Sequence, residues 1–197
     1  MSLFSMIYKM FRSGIATAQK PIPPAPRHRE KYPAAPLIDN REDELRRKID
    51  TVLGGSLHIR HVDSGSCNGC DWEMTALLNP VYDIQRLGID FVASPRHADL
   101  LMVTGGITRN LAEAVQKTWE ATAEPKMIIA VGECAINGGV FGKSYAHYGG
   151  VDQIVPVYVS IPGCPPRPQE LLEGILMAVD RLEEYKKHSR EKSVRRK

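Results

Sequence analysis

The chain has 197 residues, enough for one domain with tails and a self-sufficient core. Hydrophobic residues make up 43% and charged residues 25%, and the formal net charge of +3 is too mild to argue for nucleic acid. The longest aliphatic run, Met127–Val131, is far short of the ~20 residues that cross a bilayer, so no membrane-spanning helix and no export signal are expected.

Residues 1–20 place Leu3, Phe4, Ile7, Tyr8, Phe11 and Ile15 at helical spacing, with Lys9, Arg12 and Lys20 and no acid. This predicts a basic amphipathic helix for a membrane interface or a partner's groove; a plain docking helix or frayed terminus is the alternative. Residues 21–50 read as a linker. Six of the 14 prolines fall between Pro21 and Pro36, where fixed φ and missing donors favour extended chain. Asp39–Asp50 follows as a short, charged surface helix with Leu45 and Ile49 at helical spacing.

Residues 51–185 alternate strands and helices. Leu57–Val62, Ile89–Ala93, Leu100–Thr104, Met127–Val131 and Val155–Ile161 are candidate strands. Cys70–Leu78, Val81–Leu87, Leu111–Ala123 and Gln169–Tyr185 read as helices, with Pro80 as a break and Arg109–Asn110 as a cap. The last helix gathers Leu171, Leu172, Ile175, Leu176, Val179 and Leu182 on one side. This alternation predicts an α/β fold with a doubly wound parallel sheet, of the flavodoxin-like kind. Residues 186–197 form a basic, solvated tail, with attraction to anionic lipid as a weaker reading.

The four cysteines carry the chemistry. They are too few for a disulfide scaffold and the right number for one tetrathiolate site. Cys67 and Cys70 follow the first strand, Cys134 the fourth and Cys164 the fifth. In an open parallel sheet the carboxyl ends of the strands share one edge, where ligands bind, so three loops bring four thiols to one side. The Cys67–Cys70 pair lies where a helix begins, whose free amides favour negative charge. A [4Fe–4S] cluster takes four thiolates, one per iron. Structural zinc more often uses two close cysteine pairs, and here only one pair is close. A thioredoxin-like pair would leave Cys134 and Cys164 unexplained, and unligated core thiols would not cluster at strand ends. Iron–sulfur leads these readings; zinc and unligated thiols stay open.

Three segments carry a resemblance: Cys67-Asn68-Gly69-Cys70-Asp71-Trp72-Glu73, Gly132-Glu133-Cys134-Ala135-Ile136-Asn137-Gly138-Gly139 and Pro162-Gly163-Cys164-Pro165-Pro166-Arg167-Pro168. Together they resemble the family shared by the small subunit of membrane-bound, energy-converting [NiFe] hydrogenases (the formate hydrogenlyase type) and the terminal iron–sulfur subunit of complex I. Val103–Thr108 and Gly149–Asp152 resemble further segments of it, so the likeness runs from about Leu57 to Leu182. The complex I branch has adjacent cysteines in the first motif; the Cys67/Cys70 spacing here is that of hydrogenase small subunits.

The resemblance implies one proximal [4Fe–4S] cluster on Cys67, Cys70, Cys134 and Cys164, and a Ni–Fe centre in a partner large subunit. With all four thiols committed, this chain has none left for nickel. It further implies a ferredoxin-like iron–sulfur subunit, integral membrane subunits, and a peripheral place on the cytoplasmic face of the membrane. The complex I-like alternative passes electrons to quinone. Glu73 stands three residues after Cys70, on the same helical face. The resemblance implies a proton-relay or interface role for it; a solvated or capping carboxylate is the alternative. Trp72 and Gly138–Gly150 are read as interface, with His147 in that loop. His58, His61 and His97 are read as structural, Arg167 as a cluster-facing or surface residue, and Glu133 is given no role.

Overall fold

The structure, a computed structural model, describes residues 39–194, with side chains for 41–188. The amphipathic segment 1–20 and the Pro-rich part of 21–50 lie outside the described residues, as do the last three residues of the tail.

Leu100, Leu101, Met102, Val103 and Thr104 are all buried, and so are Met127, Ile128, Ile129, Ala130 and Val131. Strands buried on both faces belong to a parallel sheet covered on both sides. Five strands form it: β1 (Leu57–Asp63), β2 (Ile89–Phe91), β3 (Leu100–Thr104), β5 (Met127–Val131) and β7 (Val159–Ile161). They lie in the order β2-β1-β3-β5-β7, every neighbouring pair parallel. Counting sheet strands alone, this is the flavodoxin-like order, with its switch point between β1 and β3.

Alternate side chains feed two cores. Met102, Ile129 and Ile161 join one with α1 (Asp39–Leu53), α2 (Gly69–Ala76) and α5 (Pro168–Val194). Leu101, Val103, Ile128 and Ala130 join the other with α3 (Arg109–Ala121) and α4 (Gly132–Asn137). A second, two-stranded antiparallel ribbon pairs β4 (Ile107–Thr108) with β6 (His147–Gly149).

Several elements differ from the sequence reading. The strand expected at 89–93 ends at Phe91, and the helix expected at 111–123 spans Arg109–Ala121, with Thr108 rather than Arg109–Asn110 before its first turn. The charged helix at 39–50 runs to Leu53 and is a surface helix on one side only. Leu45 and Ile49, four residues apart, are 1% and 0% exposed. Glu42, also buried there, pairs with Arg86, while Arg41–Glu173 (2.9 Å) and Lys48–Asp180 (2.5 Å) tie α1 to α5. The helix expected at 81–87 is a 3₁₀ turn at Ile84–Leu87. Asn79 Oδ1 accepts Val81 N (2.8 Å) and Tyr82 N (3.1 Å), a side-chain turn that competes with helix.

The fifth strand is Val159–Ile161 rather than 155–161, because Pro156 brings no ladder donor and Val155 turns into the second core. The final helix reaches Val194 instead of Tyr185, so the basic tail at 186–197 starts as helical turns. Glu183–Lys187 pair at 2.5 Å one turn apart, and Lys186 Nζ donates to Val52 O at 3.0 Å.

Candidate metal centre

The first loop is shaped by the end of β1. Asp63 Oδ1 accepts Gly65 N (2.8 Å) and Ser66 N (2.7 Å), turning the chain as β1 ends. Ser64 is buried; its hydroxyl lies 2.8 Å from Thr104 O and 2.9 Å from Gly105 O. Thr108 N donates back to Ser64 O at 2.9 Å. These bonds lock the loop after β1 to the loop after β3, at the switch point. Asn68 then takes a left-handed φ of 66° and α2 begins, which puts Cys67 before the helix and Cys70 in its first turn.

The second loop passes from β5 into α4. Gly132 has φ +83°, and a Cβ there would stand 2.6 Å from Cys70 Sγ, so the Cys70 sulfur rests on the Gly132 backbone. Two residues later comes Cys134, against whose Sγ a Cβ on Gly139 would stand at 2.8 Å. The third loop is tied to the second by Glu133 N donating to Gly163 O at 2.9 Å. It returns to the first at Pro165, whose Cβ would lie 3.9 Å from a Cβ on Gly69. The three loops that carry the four cysteines therefore meet at one edge of the sheet.

Cys67 and Cys164 are exposed, and Cys70 and Cys134 are half-buried. Burial first, then the Asp71 charge and then the other three cysteines push the Cys70 thiol up to about 12. Cys134 is also raised, by burial and then by Cys164 and Cys67, with the Val140 backbone amide opposing. The thiols thus lie within electrostatic reach of one another, and positive metal would favour their ionised forms. Among the described residues, no three His, Cys, Asp or Glu side chains close on a single ion. Four thiols are the donor set of a four-iron cluster, which takes one thiolate per iron.

Glu73 is half-buried on α2. Trp72 is 73% exposed beside the cysteines. Val140 and Tyr145, each 93% exposed, and Phe141, 55% exposed, crown the loop after Cys134, which β6 pins down against β4. In the same loop, His147 stacks on Phe141 at 5.4 Å. His58 faces Asp99, with Nδ1 3.6 Å from Oδ2, and His97 sits on an exposed 3₁₀ turn. Arg167 is exposed, its amide donating to Glu170 at the start of α5, and Glu133 accepts from Asn137 Nδ2 at 3.2 Å.

A cluster of polar residues behind the first loop was not anticipated: Ser66, Asp71, His61 and Thr104. They come from β1, β3, α2 and a loop, so no local spacing announces them. The one available signal was Asp71 directly following Cys70.

Residues 67–178 match the protein family described as "NADH ubiquinone oxidoreductase, 20 Kd subunit". A probable membrane-bound hydrogenase subunit of Pyrococcus furiosus is 48% identical over 130 residues, covering 66% of this chain and 78% of that one. Formate hydrogenlyase subunit 7 of Escherichia coli is 40% identical over 165 residues, covering 84% of this chain and 64% of its own length. Among solved structures, an archaeal membrane-bound sulfane sulfur reductase superposes with a TM-score of 0.58 at 36% identity, over 66% of this chain and 71% of that one.

Proposed function

Since the chain belongs to the NADH ubiquinone oxidoreductase 20 Kd subunit family, a family of oxidoreductase-complex subunits, we propose that it is the electron-transfer small subunit of a membrane-associated [NiFe] hydrogenase. One [4Fe–4S] cluster would be held by Cys67, Cys70, Cys134 and Cys164. The observation that carries this reading is the convergence of three strand-end loops, with Cys70 Sγ seated on Gly132 and the Cys134 loop bonded to the Cys164 loop. The two hydrogenase relatives and the two-residue spacing between Cys67 and Cys70 support the hydrogenase assignment over the complex I-like one, in which the electrons go to quinone.

When bound, such a cluster accepts and releases single electrons; the protein supplies its position and surroundings. Gly132 and Gly139 leave room against sulfur that a side chain would fill. Trp72, Val140, Phe141 and Tyr145 form an exposed apolar rim, which we assign to the large subunit carrying the Ni–Fe centre. Glu73, one helical turn from Cys70, would hold a proton near that interface. A ferredoxin-like subunit would be the other electron partner. The likeness to a membrane-bound hydrogenase subunit supports a peripheral place on the cytoplasmic face, beside integral membrane subunits. Among the described residues no helix is long and apolar enough to cross a membrane.

Anaerobic purification of the complex, with iron, sulfide and zinc analysis and EPR, tests the centre. Four iron per chain and a reducible signal are expected; zinc without a reducible cluster overturns the reading. Hydrogen evolution from reduced viologen by the same complex distinguishes hydrogenase from quinone reductase. Glu73→Gln should slow proton/deuterium exchange, and a wild-type rate removes Glu73 from the proton path.

A further inference from the structure

Asp71 has no part in the function proposed so far, yet it is bound into the loop that carries Cys67. Its carboxylate is 19% exposed and directly follows Cys70. Oδ2 accepts the Ser66 hydroxyl at 2.6 Å, and that hydroxyl in turn accepts Asn68 N at 3.1 Å. One carboxylate thus grips, through one hydroxyl, the residue before Cys67 and the residue after it. Oδ1 is buried and makes no hydrogen bond; it faces His61 Nε2 at 3.1 Å. The same nitrogen lies 2.9 Å from Thr104 Oγ1 at the end of β3. Asp71 therefore joins α2, β1, β3 and the Cys67 loop at the switch point of the sheet.

We propose that Asp71 is a positioning residue of the metal centre: through Ser66 it fixes the loop that presents Cys67, and its negative charge beside Cys70 lowers the reduction potential of the bound cluster. This rests on the iron–sulfur reading. The chemistry is electrostatic. Reduction adds an electron to a site already crowded with thiolates, and a fixed carboxylate in half-buried surroundings opposes it.

The test uses the full chain, loaded anaerobically with ferrous iron and sulfide and titrated with dithionite under EPR. Asp71→Asn keeps an acceptor for Ser66 and removes the charge. The reduced-to-oxidised ratio at a set potential should rise about tenfold, which is about 59 mV for one electron, with the EPR line shape kept. Asp71→Glu keeps the charge and displaces the acceptor. Its potential should stay near wild type while a chelator strips iron faster, and Ser66→Ala should do the same.

An unchanged potential in Asp71→Asn overturns the proposal, as does an equal shift in Asp71→Glu. If Asp71→Asn takes up no iron, uptake by Asp71→Glu supports the proposal and loss in both overturns it. A wild-type chain that forms no reducible cluster fails at an earlier step and overturns the iron–sulfur reading itself.

Discussion

The flank where α1 and α5 cover the sheet and the edge where the cysteines sit are built on different principles. On the flank, Leu45, Ile49, Ile175 and Val179 are buried to 1% or less, and the Arg41–Glu173 and Lys48–Asp180 pairs lie at the rim. At the edge, shape comes from backbone and short polar side chains: Asp63 on two amides, Ser64 on Thr104 and Gly105, Glu133 N on Gly163. Apolar burial is non-directional and tolerates modest repacking. Hydrogen-bonded loops with positive-φ glycines tolerate little. Stability is thus concentrated where no chemistry is proposed, and geometry where stability is thin.

That division can be broken by experiment. The largest effect should come from Cys134→Ser, which is expected to abolish the four-iron EPR signal while leaving the thermal transition of the metal-free chain in place. Thiol reactivity in the metal-free chain should be nearly as one-sided. At pH 8, with its thiol raised to about 12, Cys70 holds only about one thiolate in ten thousand. Iodoacetamide should therefore label exposed Cys67 and Cys164 first, and Cys70 labelling should rise about tenfold per pH unit until pH nears 12. Mass spectrometry reads both, and early labelling of Cys70 would contradict the burial.

Gly132→Ala and Ile49→Ala set the two regions side by side. The glycine variant strains a left-handed backbone by about 1–2 kcal/mol and puts a methyl against Cys70 Sγ, so iron occupancy should fall more than stability. Ile49→Ala should cost about 2–5 kcal/mol in chemical denaturation and leave the iron content of the folded fraction unchanged. If both variants lose iron and stability in the same proportion, the two regions are one cooperative unit. The smallest effect is expected from Lys48→Ala, whose partly exposed pair with Asp180 should contribute about 0–1 kcal/mol.

Much of this was legible in the sequence because its signals are local. Met127–Val131 is an unbroken apolar run and is a buried strand from end to end. Leu171, Leu172, Ile175, Leu176, Val179 and Leu182 repeat at helical spacing, and all are buried. The cysteines were readable because each follows a strand, and a parallel sheet gathers its carboxyl ends.

What escaped depends on partners far along the chain. Leu45 and Ile49 are too sparse among charges to announce a core face; the buried Glu42 beside them is stabilised by Arg86, 44 positions away. The β4–β6 ribbon consists of two and three residues, too short for any periodicity. Asp71 reads as an ordinary acid in a first helical turn until β1 brings His61 to it, with Thr104 of β3 against the same ring nitrogen.

The place of β7 bears on how the subunit is made. It is an edge strand, paired only with β5, and Cys164 lies just beyond its end. Gly174 of α5 packs so closely on Ile161 that a Cβ there would overlap the Ile161 side chain. The Cys164 loop therefore rests on the packing of α5 against β7. On the proposed iron–sulfur reading, loading of the centre would follow the docking of that last helix on β7.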